Sequence, residues 1–394
     1  MGSGRRVVVA MSGGVDSSLA AALLVEAGYR TVGVSMRLWG PADGSIQSGC
    51  CSFDDFLDAR RVAEQLGIPF YVMDFREEFR RAVVDPFVAE YRAGRTPNPC
   101  TRCNQFVKFA ALWERAQEIG ADLIATGHYA RSRTVGDQTE LLRGVDHDKD
   151  QSYFLFPIDR EVLRRTLFPV GELTKAEVRR GASRRGLPVA DKPDSQEVCF
   201  APRGNYAALV EAHSSPQPIR DGFIVDEAGH VLGRHEGVHR FTIGQRRGLG
   251  LQQGGPPRYV TAIDAASGTV QIGSGDRVVK TGLIATQANW LGPLPLAGTW
   301  VSVKIRSRFA PQPALVTYAD AESFRVSAPA GLRAVTPGQA AVLYDGERVI
   351  GGGWIAQALS DTPHLDLPPQ GEGESRRVSP GEPTMAPAWR RHAP

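Results

Sequence analysis

The chain has 394 residues, of which 42% are hydrophobic and 23% are charged, and its formal net charge is +3. These values are typical of a globular protein with two or three domains, and no apolar run approaches the roughly 18–20 residues of a membrane helix. Because no export signal is visible, we expect a soluble, cytoplasmic enzyme without a membrane partner.

Strand and helix patterns alternate through the first 205 residues. Strands are predicted within residues 5–14, 31–39, 68–75 and 121–128, and helices at 15–28, 54–67, 77–94 and 104–120. The third of these helices is expected to be interrupted at Pro86. This order predicts an α/β fold with a doubly wound, mostly parallel sheet, in which ligands bind beyond the carboxyl ends of the strands.

The pattern changes after about residue 205, where short strands are separated by glycine turns. It predicts hairpin-built β structure, and the segment from about 299 to 357 could close as a small barrel. The residues after it are rich in Pro, Gly, Ser, Glu and Arg, which predicts disorder. We therefore predict an α/β domain at 1–205, a central β-rich domain at 206–285, a C-terminal β-barrel at 286–357 and a disordered tail at 358–394.

A glycine turn, AMSGGVDSS, joins the first strand to the first helix. Gly13 and Gly14 can expose backbone N–H groups, and Ser17 adds a hydroxyl at a helix terminus that favours anions. Asp16 could bind Mg²⁺ carried by a nucleotide. The alternative is a tight turn in which Asp16 or Ser17 only caps the helix. No Gly-Lys pair follows, so the turn is a candidate phosphate site but not a P-loop.

Five cysteines in a chain of this length do not make a disulfide scaffold. Cys100 and Cys103 form a C-x-x-C pair in PNPCTRCN, whereas Cys199 stands alone. A structural zinc site usually needs two such pairs, which makes zinc less favoured here. A lone cysteine such as Cys199 is often only a small buried apolar residue. Spacing alone leaves metal ligation, redox chemistry and nucleophilic catalysis open.

Several strings, in order along the chain, together resemble one family. They are AMSGGVDSS, CCS, YRAGRTPNPC with the following CN, IATGHYAR, LLRGVDHDKDQSYFL, GELTKAEVR, DSQEVCF and TIGQRRGLG. The resemblance is to the bacterial tRNA-uridine 2-sulfurtransferases, or tRNA 2-thiouridylases, of the pyrophosphate-loop ATPase superfamily. It covers roughly residues 5 to 357 and implies an adenine nucleotide α-hydrolase-like fold for the first domain.

The resemblance implies a two-step reaction. ATP adenylates the 2-oxo group of the wobble uridine of tRNA, and sulfur from a cysteine persulfide then displaces AMP. It implies Cys103 as the attacking thiol and Cys199 as the persulfide carrier, with a cysteine desulfurase or a sulfur-relay protein as donor. The implied ATP contacts are Ala10, Met11, Ser12, Gly13, Gly14, Val15, Asp16, Ser17, Met36 and Gly127.

The resemblance also implies contacts with the RNA. Asn98, Pro99 and Cys100 correspond to the loop beside the target base. The implied tRNA contacts are His128, Lys149, Asp150, Gln151, Arg306, Ser307 and Gln339. We expect the base to leave the anticodon stack and enter a pocket, since RNA is usually read in such single-stranded loops.

Cys100 opens an alternative mechanism, because many relatives carry Asp at this position. Cys100, Cys103 and Cys199 could hold a [4Fe–4S] cluster with one open iron, and the same reaction would then use a labile sulfide. Two other classes of protein compete more weakly. An adenylating ligase would not need the three thiols, and a pure RNA-binding module would not need the phosphate turn. We assign no role to Cys50 and Cys51.

Overall fold

The computed structural model describes residues 4–40, 53–193, 198–201, 205–213, 219–251 and 255–360. Cys50, Cys51 and nearly all of the predicted tail lie outside these residues. So do residues 194–197, which precede Cys199.

The strands of the described chain fall into three sheets. In chain order they are β1 (Arg6–Ala10), β2 (Arg30–Arg37), β3 (Phe70–Asp74), β4 (Leu123–Ala125), β5 (Ala130–Val135), β6 (Gln138–Arg143), β7 (Thr166–Leu167), β8 (Gly222–Val225), β9 (Val231–His235), β10 (Tyr259–Asp264), β11 (Thr269–Gly273), β12 (Val279–Trp290), β13 (Trp300–Lys304), β14 (Gln312–Ala319), β15 (Ser323–Arg333), β16 (Ala340–Asp345) and β17 (Arg348–Leu359).

Most helices lie in the first half of the chain. They are α1 (Val15–Glu26), α2 (Phe53–Leu66), α3 (Arg76–Phe79), α4 (Asp85–Arg92), α5 (Pro99–Cys103), α6 (Leu112–Glu118), α7 (Arg160–Arg164), α8 (Lys175–Arg184) and α9 (Tyr206–Ala212). Two wide, π-type segments, Arg80–Val84 and Asn104–Ala111, connect α3 to α4 and α5 to α6.

The first sheet is parallel throughout, with the strand order β3-β2-β1-β4-β7. Alternate residues of β1 face two different apolar cores. Val8 packs with the helical segments between residues 75 and 116, whereas Val7 and Val9 pack with α1, α2 and α8. Because both faces are covered, β1 is apolar from Val7 to Ala10 rather than alternating. The predicted doubly wound sheet is confirmed.

Pro86 does not interrupt its helix. The backbone stays helical from Arg76 to Arg92, and the turn just before the proline widens over Arg80–Val84. A proline removes one backbone donor and crowds the preceding turn. The wider turn accommodates both effects, so the helix continues where the sequence predicted a break.

The remaining strands form a small sheet and a closed barrel. The small sheet has the order β10-β11-β8-β9. Strands β12-β15-β14-β13-β16-β17 follow one another around the barrel, and pairing between β12 and β17 closes it. The predicted β-rich region and barrel are therefore confirmed, but β12, the strand that closes the barrel, was not among the predicted strands. The domain boundaries themselves stay predictions.

The barrel and the α/β part are packed together. The core that contains Val8 also contains Ala340, Val342 and Tyr344 of β16 and Val349 of β17. The β5–β6 hairpin, which comes from the first half of the chain, extends the barrel sheet by pairing Leu142 with Arg348. One continuous apolar core thus joins the two parts.

Candidate active site

A cavity of about 480 Å³ lies beyond the carboxyl ends of β1, β2 and β4. Ligands of doubly wound sheets bind at this edge. Most of the residues implied by the family resemblance line the cavity. They are Ala10, Met11, Ser12, Gly14, Val15, Asp16, Ser17, Met36, Cys100, Gly127, His128, Lys149, Gln151 and Cys199. The structure therefore brings the glycine turn and two of the cysteines to one place.

Two glycines are required by the way the glycine turn packs. Gly13 has a φ of +72°, and a Cβ there would lie 2.2 Å from the backbone oxygen of Asp55. A Cβ on Gly127 would lie 2.6 Å from the backbone nitrogen of Ser17. Since neither position tolerates a side chain, β4 and the start of α2 pack directly against the turn.

Hydrogen bonds between its own residues hold the glycine turn in shape. The Ser12 backbone N–H donates to Ser17 Oγ at 3.2 Å, and Ser17 Oγ donates to the Gly14 carbonyl at 3.2 Å. Ser35 on β2 donates to the Met11 carbonyl at 2.5 Å. The turn is thus a preformed feature of the sheet edge, as an anion site requires.

Asp16, the acidic residue of the glycine turn, has two partners. Lys175 Nζ lies 2.8 and 2.9 Å from its carboxylate oxygens, and the Tyr129 hydroxyl donates to Oδ1 at 2.6 Å. Neither partner was predicted from the sequence, although Lys175 lies in the string GELTKAEVR. A cation carried by a nucleotide would share this carboxylate with Lys175.

Four lysines line the cavity, against two aspartates. The lysines are Lys108, Lys149, Lys175 and Lys192, and the aspartates are Asp16 and Asp55. Lys192 bridges Asp55 and Asp58 at 2.7 Å each; burial opposes its charge, but these hydrogen bonds raise its pKa. The excess of positive charge suits a polyphosphate or an RNA phosphate. Only Lys149 was predicted, because a lysine pattern alone does not distinguish a cavity wall from a solvated helix face.

The helical segment from Pro99 to Glu118 presents one face to the cavity. Cys100, Asn104 and Lys108 are spaced four residues apart and all line it. Cys103 lies off this face and is only 6% exposed, and it packs in the apolar core. Cys199 is half-buried, lines the cavity and packs against the same core. The thiols at the cavity are therefore Cys100 and Cys199, with Cys103 behind them.

Two titratable groups at the cavity are shifted toward their neutral forms. Burial around the thiol raises the pKa of Cys100, although the residue as a whole is exposed, and the nearby charge of Lys108 opposes that shift. Burial, assisted by Lys108, lowers the pKa of His128 to about 3. His128 Nδ1 shares a 2.8 Å hydrogen bond with Thr126 Oγ1. His128 is thus a neutral imidazole at physiological pH.

Asn98 and Pro99, which the resemblance places beside the target base, stand at the start of α5. We call α5 the cysteine helix because it carries Cys100 and Cys103. The Asn98 side chain caps the helix by accepting from the Thr101 backbone N–H at 3.3 Å, and Pro99 occupies its first position. Both residues are buried and do not line the cavity. In this structure they position Cys100, and their contact with the target base stays a prediction.

Asp150 lies between two predicted RNA contacts but points into the protein. Its side chain is fully buried, and its carboxylate accepts from Arg143 Nε at 3.1 Å and from the Ser152 hydroxyl at 3.1 Å. Lys304 of the barrel lies 4.0 Å away. Because the carboxylate is occupied by these groups, the structure gives it no access to RNA, and its role as a tRNA contact stays a prediction.

The predicted contacts on the barrel also lie away from the cavity. Gln339 Nε2 donates to the carbonyls of Thr96 and Pro97 at 2.9 and 3.3 Å. Arg306 Nη2 donates to the carbonyls of Ile243 and Ala334, at 3.0 and 2.9 Å. Ser307 is exposed on the loop that follows β13. Gln339 and Arg306 join parts of the protein here, and their contacts with tRNA stay predictions.

The donor set of the cavity does not form a metal site as it stands. Across the described ranges, no three His, Cys, Asp or Glu side chains lie close enough together to hold a metal ion. Cys103 faces the core while Cys100 and Cys199 face the cavity, so the three cysteines do not fit a shared [4Fe–4S] cluster in this arrangement.

Three family models match consecutive parts of the chain. They are a tRNA methyl transferase HUP domain over residues 5–203, a tRNA methyl transferase PRC-barrel domain over 212–274, and an aminomethyltransferase beta-barrel domain over 280–355. Curated relatives match nearly the full length. The tRNA-specific 2-thiouridylase MnmA of Geotalea uraniireducens is 50% identical over 362 residues, which cover 90% of this chain and 96% of that protein. The chain belongs to the tRNA-specific 2-thiouridylase family.

Other members of the 2-thiouridylase family are about as similar. The MnmA proteins of Geobacter metallireducens and Solibacter usitatus are 50% and 49% identical, over 91% and 89% of this chain and 98% of each relative. Among solved structures, a 4-thiouridine synthetase–RNA complex with bound ATP has 19% identity and a TM-score of 0.34, over 54% of this chain and 51% of that one. That likeness is too low to support a conclusion. The resemblance predicted from the motifs is confirmed by the family match.

Proposed function

We propose that the chain catalyses the ATP-dependent 2-thiolation of the wobble uridine of tRNA in the cytoplasm. One observation carries this proposal. A single cavity joins the preformed glycine turn, four lysines and the side chains of Cys100 and Cys199. Membership of the 2-thiouridylase family supports the same substrate. Among the described helices, none has the length and apolarity that a membrane span requires.

In the first step, the 2-oxo oxygen of uridine attacks the α-phosphorus of ATP and pyrophosphate leaves. Backbone N–H groups of the glycine turn would bind the phosphates, assisted by Lys175 and by Mg²⁺ shared between Asp16 and phosphate oxygens. The apolar wall of Val34, Met36 and Leu38 suits the adenine ring. This step turns the 2-oxo oxygen, which is a poor leaving group, into part of AMP, which is a good one.

In the second step, the terminal sulfur of a Cys199 persulfide attacks C2 and AMP leaves. Cys103 then attacks the Sγ of Cys199. The bond between this Sγ and the sulfur now attached to C2 breaks, which releases 2-thiouridine and forms a Cys103–Cys199 disulfide. An external thiol must reduce this disulfide between turnovers. Both cysteines belong to the same apolar neighbourhood, but Cys103 must turn out of the core to react. A cysteine desulfurase or a sulfur-relay protein would load Cys199.

The reaction is tested with purified protein, ATP, a cysteine desulfurase with cysteine, and an anticodon stem-loop RNA that carries uridine at the wobble position. We expect equal amounts of AMP and 2-thiouridine by liquid chromatography and mass spectrometry. An RNA with cytidine at that position is the control. Thiolation without ATP, or AMP formation that does not depend on the RNA, would contradict the proposal.

Serine variants test the roles of the three cysteines. Cys103→Ser and Cys199→Ser should abolish thiolation but leave RNA-dependent pyrophosphate release intact, while Cys100→Ser should keep most of both activities. An inactive Cys100→Ser variant together with an active Cys103→Ser variant would overturn the assignment of Cys103.

Iron and sulfide analysis of anaerobically purified protein tests the alternative in which a [4Fe–4S] cluster supplies the sulfur. We expect an enzyme that is active and free of iron.

A further inference from the structure

Asn104 combines three properties that none of its neighbours shares. It lines the cavity, it is only 3% exposed, and it lies one helical turn after Cys100 and one turn before Lys108 on the same face. Asn104 belongs to the CN string that follows YRAGRTPNPC, but the sequence predicted no role for it. A polar side chain so deeply buried normally has all of its hydrogen bonds satisfied.

The orientation of the Asn104 amide is fixed from one side. Its Nδ2 donates to the backbone carbonyl of Phe154, another residue of the cavity wall, at 3.1 Å. Oδ1 is buried and has no hydrogen-bond partner among the described residues. Because Nδ2 needs an acceptor and finds one at Phe154, the assignment of oxygen and nitrogen in this amide is fixed as well. The structure thus leaves one buried, unused acceptor on a residue of the cavity wall.

The chemistry of the two substrates, ATP and the target base, decides which hydrogen-bond donor fits Asn104 Oδ1. The adenine of ATP is suited to the apolar side chains of Val34, Met36 and Leu38, at and just beyond the carboxyl end of β2. The target base must bring its C2 to the wall that carries the cysteines. Uracil in a nucleotide has a single N–H donor, N3–H, and it adjoins C2. An acceptor one helical turn from Cys100 is therefore matched to that donor.

We propose that Asn104 Oδ1 accepts a hydrogen bond from N3–H of the target uracil and so selects uridine and orients its C2. Cytosine has an unprotonated N3, which would face the acceptor without a hydrogen bond. The selection follows because a site built to bind a donor rejects a base that lacks it. This inference rests on the proposed function, in that the base must enter this cavity.

The test compares RNA stem-loops with uridine or N3-methyluridine at the target position. A methyl group on N3 removes the donor and collides with the acceptor, whereas Asn104→Ala removes the acceptor and makes room for the methyl group. Affinity for both RNAs is measured with a non-hydrolysable ATP analogue, and thiolation is measured separately. Gln105→Ala is the matched control, because Gln105 is the next residue of the helix and also has a buried, unpartnered oxygen, but does not line the cavity.

We expect wild type and Gln105→Ala to bind the methylated RNA at least about tenfold more weakly than the unmodified RNA. In Asn104→Ala this ratio should fall to within about threefold, because the two changes act on the same contact. A general loss of structure would weaken both RNAs and leave the ratio unchanged, so it would count against the proposal. Equal binding of both RNAs by wild type would also overturn it, with no variant needed.

The two proposals fail separately. If wild type forms no 2-thiouridine, the proposed function fails, whatever the binding ratios are. If wild type thiolates the uridine RNA but Asn104→Ala discriminates against N3-methyluridine as strongly as wild type, only the role of Asn104 fails.

Discussion

At the scale of single residues, the cavity combines positively charged lysines with titratable groups that are held in their neutral forms. Lysines supply the positive charge, while burial keeps His128 unprotonated and raises the pKa of Cys100. A neutral His128 can accept or donate a hydrogen bond without adding to the charge around the phosphates. The attacking sulfur of a persulfide is more acidic than an ordinary thiol, so it does not depend on these groups for ionisation.

The lowered pKa of His128 predicts how stability depends on pH. Its pKa falls from 6.5 in an unfolded chain to about 3 in the folded protein. Between these values the unfolded chain binds a proton that the folded chain does not, so stability falls as the pH drops from 6.5 toward 3. Above pH 6.5 both states are neutral and the effect vanishes.

Thermal melting from pH 8 to pH 4 checks this expectation. His128→Asn keeps a hydrogen-bonding group near Thr126 but cannot titrate, so its melting temperature should fall less steeply below pH 6.5 than that of wild type. Comparing the two proteins cancels the contribution of the carboxylates. If the melting temperatures of the two proteins fall in parallel as the pH drops, the pKa of His128 is not lowered and the prediction is wrong.

Motif residues could be predicted individually, but their neighbours could not. The residues of the glycine turn were identified because their spacing along the chain reflects one local structure. Lys175 and Tyr129 reach Asp16 from 159 and 113 residues away, and no local pattern contains such a contact. Cys103 and Cys100 illustrate the reverse case: i,i+3 spacing on a helix makes two side chains neighbours, yet Cys100 lines the cavity while Cys103 packs in the core.

At the scale of secondary-structure elements, the start of the cysteine helix is held by the barrel. We call this contact the barrel clamp: Gln339 bonds to the Thr96 and Pro97 carbonyls, the Thr96 N–H donates to the Pro337 carbonyl at 2.9 Å, and the Arg102 guanidinium lies 4.8 Å from the Trp354 ring centroid. The clamp fixes the turn from which Cys100 and Cys103 project.

Removing Gln339 from the barrel clamp should loosen that turn. Gln339→Ala loses two hydrogen bonds, so we expect buried Cys103 to react several-fold faster with iodoacetamide in the absence of RNA. Site-resolved mass spectrometry measures the rate. Gln312→Ala is the control, because the Gln312 side chain, at the start of β14, donates to the Ala310 carbonyl in the preceding loop, away from the cysteine helix. If Gln339 acts solely as a tRNA contact, Cys103 will react at the wild-type rate and only RNA affinity will fall.

The predicted elements were most accurate where one periodic pattern decides them. The four helices and four strands predicted in the first half correspond to observed elements, but β7, α7 and α8 were not predicted. β12 was missed because it pairs with β15 and β17 further along the chain, whereas the β5–β6 hairpin was missed although its two strands pair mainly with each other. The predicted interruption at Pro86 was wrong, because a wider helical turn accommodates the proline.

At the scale of the whole molecule, a buried ionic network joins the α/β part to the barrel. Asp150 meets Arg143 of β6 and lies near Lys304 of β13, and the Ser152 hydroxyl that bonds to it also shares a 3.2 Å hydrogen bond with the Tyr344 hydroxyl of β16. Burial lowers the pKa of Lys304, while Asp150 favours its charged form. Lys149 and Gln151, on either side of Asp150, line the cavity.

Loss of Asp150 should therefore affect both stability and activity. Asp150→Ala leaves Arg143 and Lys304 without their counter-charge, which costs about 3–5 kcal/mol for a buried pair. We expect a clearly lower urea midpoint and slower thiolation. Asp345→Ala is the control, because it removes an exposed i,i+3 pair with Arg348 that contributes about 1 kcal/mol or less. If Asp150→Ala keeps the wild-type midpoint and loses only RNA affinity, Asp150 is a tRNA contact after all.

The shared core has a consequence for the order in which the protein is built. A ribosome releases β1 first and β16 and β17 more than 300 residues later, yet Val8, Val342 and Val349 pack into one core. The parallel sheet cannot cover that face, and the barrel clamp cannot form, until the last of these strands has emerged. Until then a growing chain keeps uncovered the apolar core face on which Cys103 packs, although the residues that line the cavity, all between Ala10 and Cys199, have already been made.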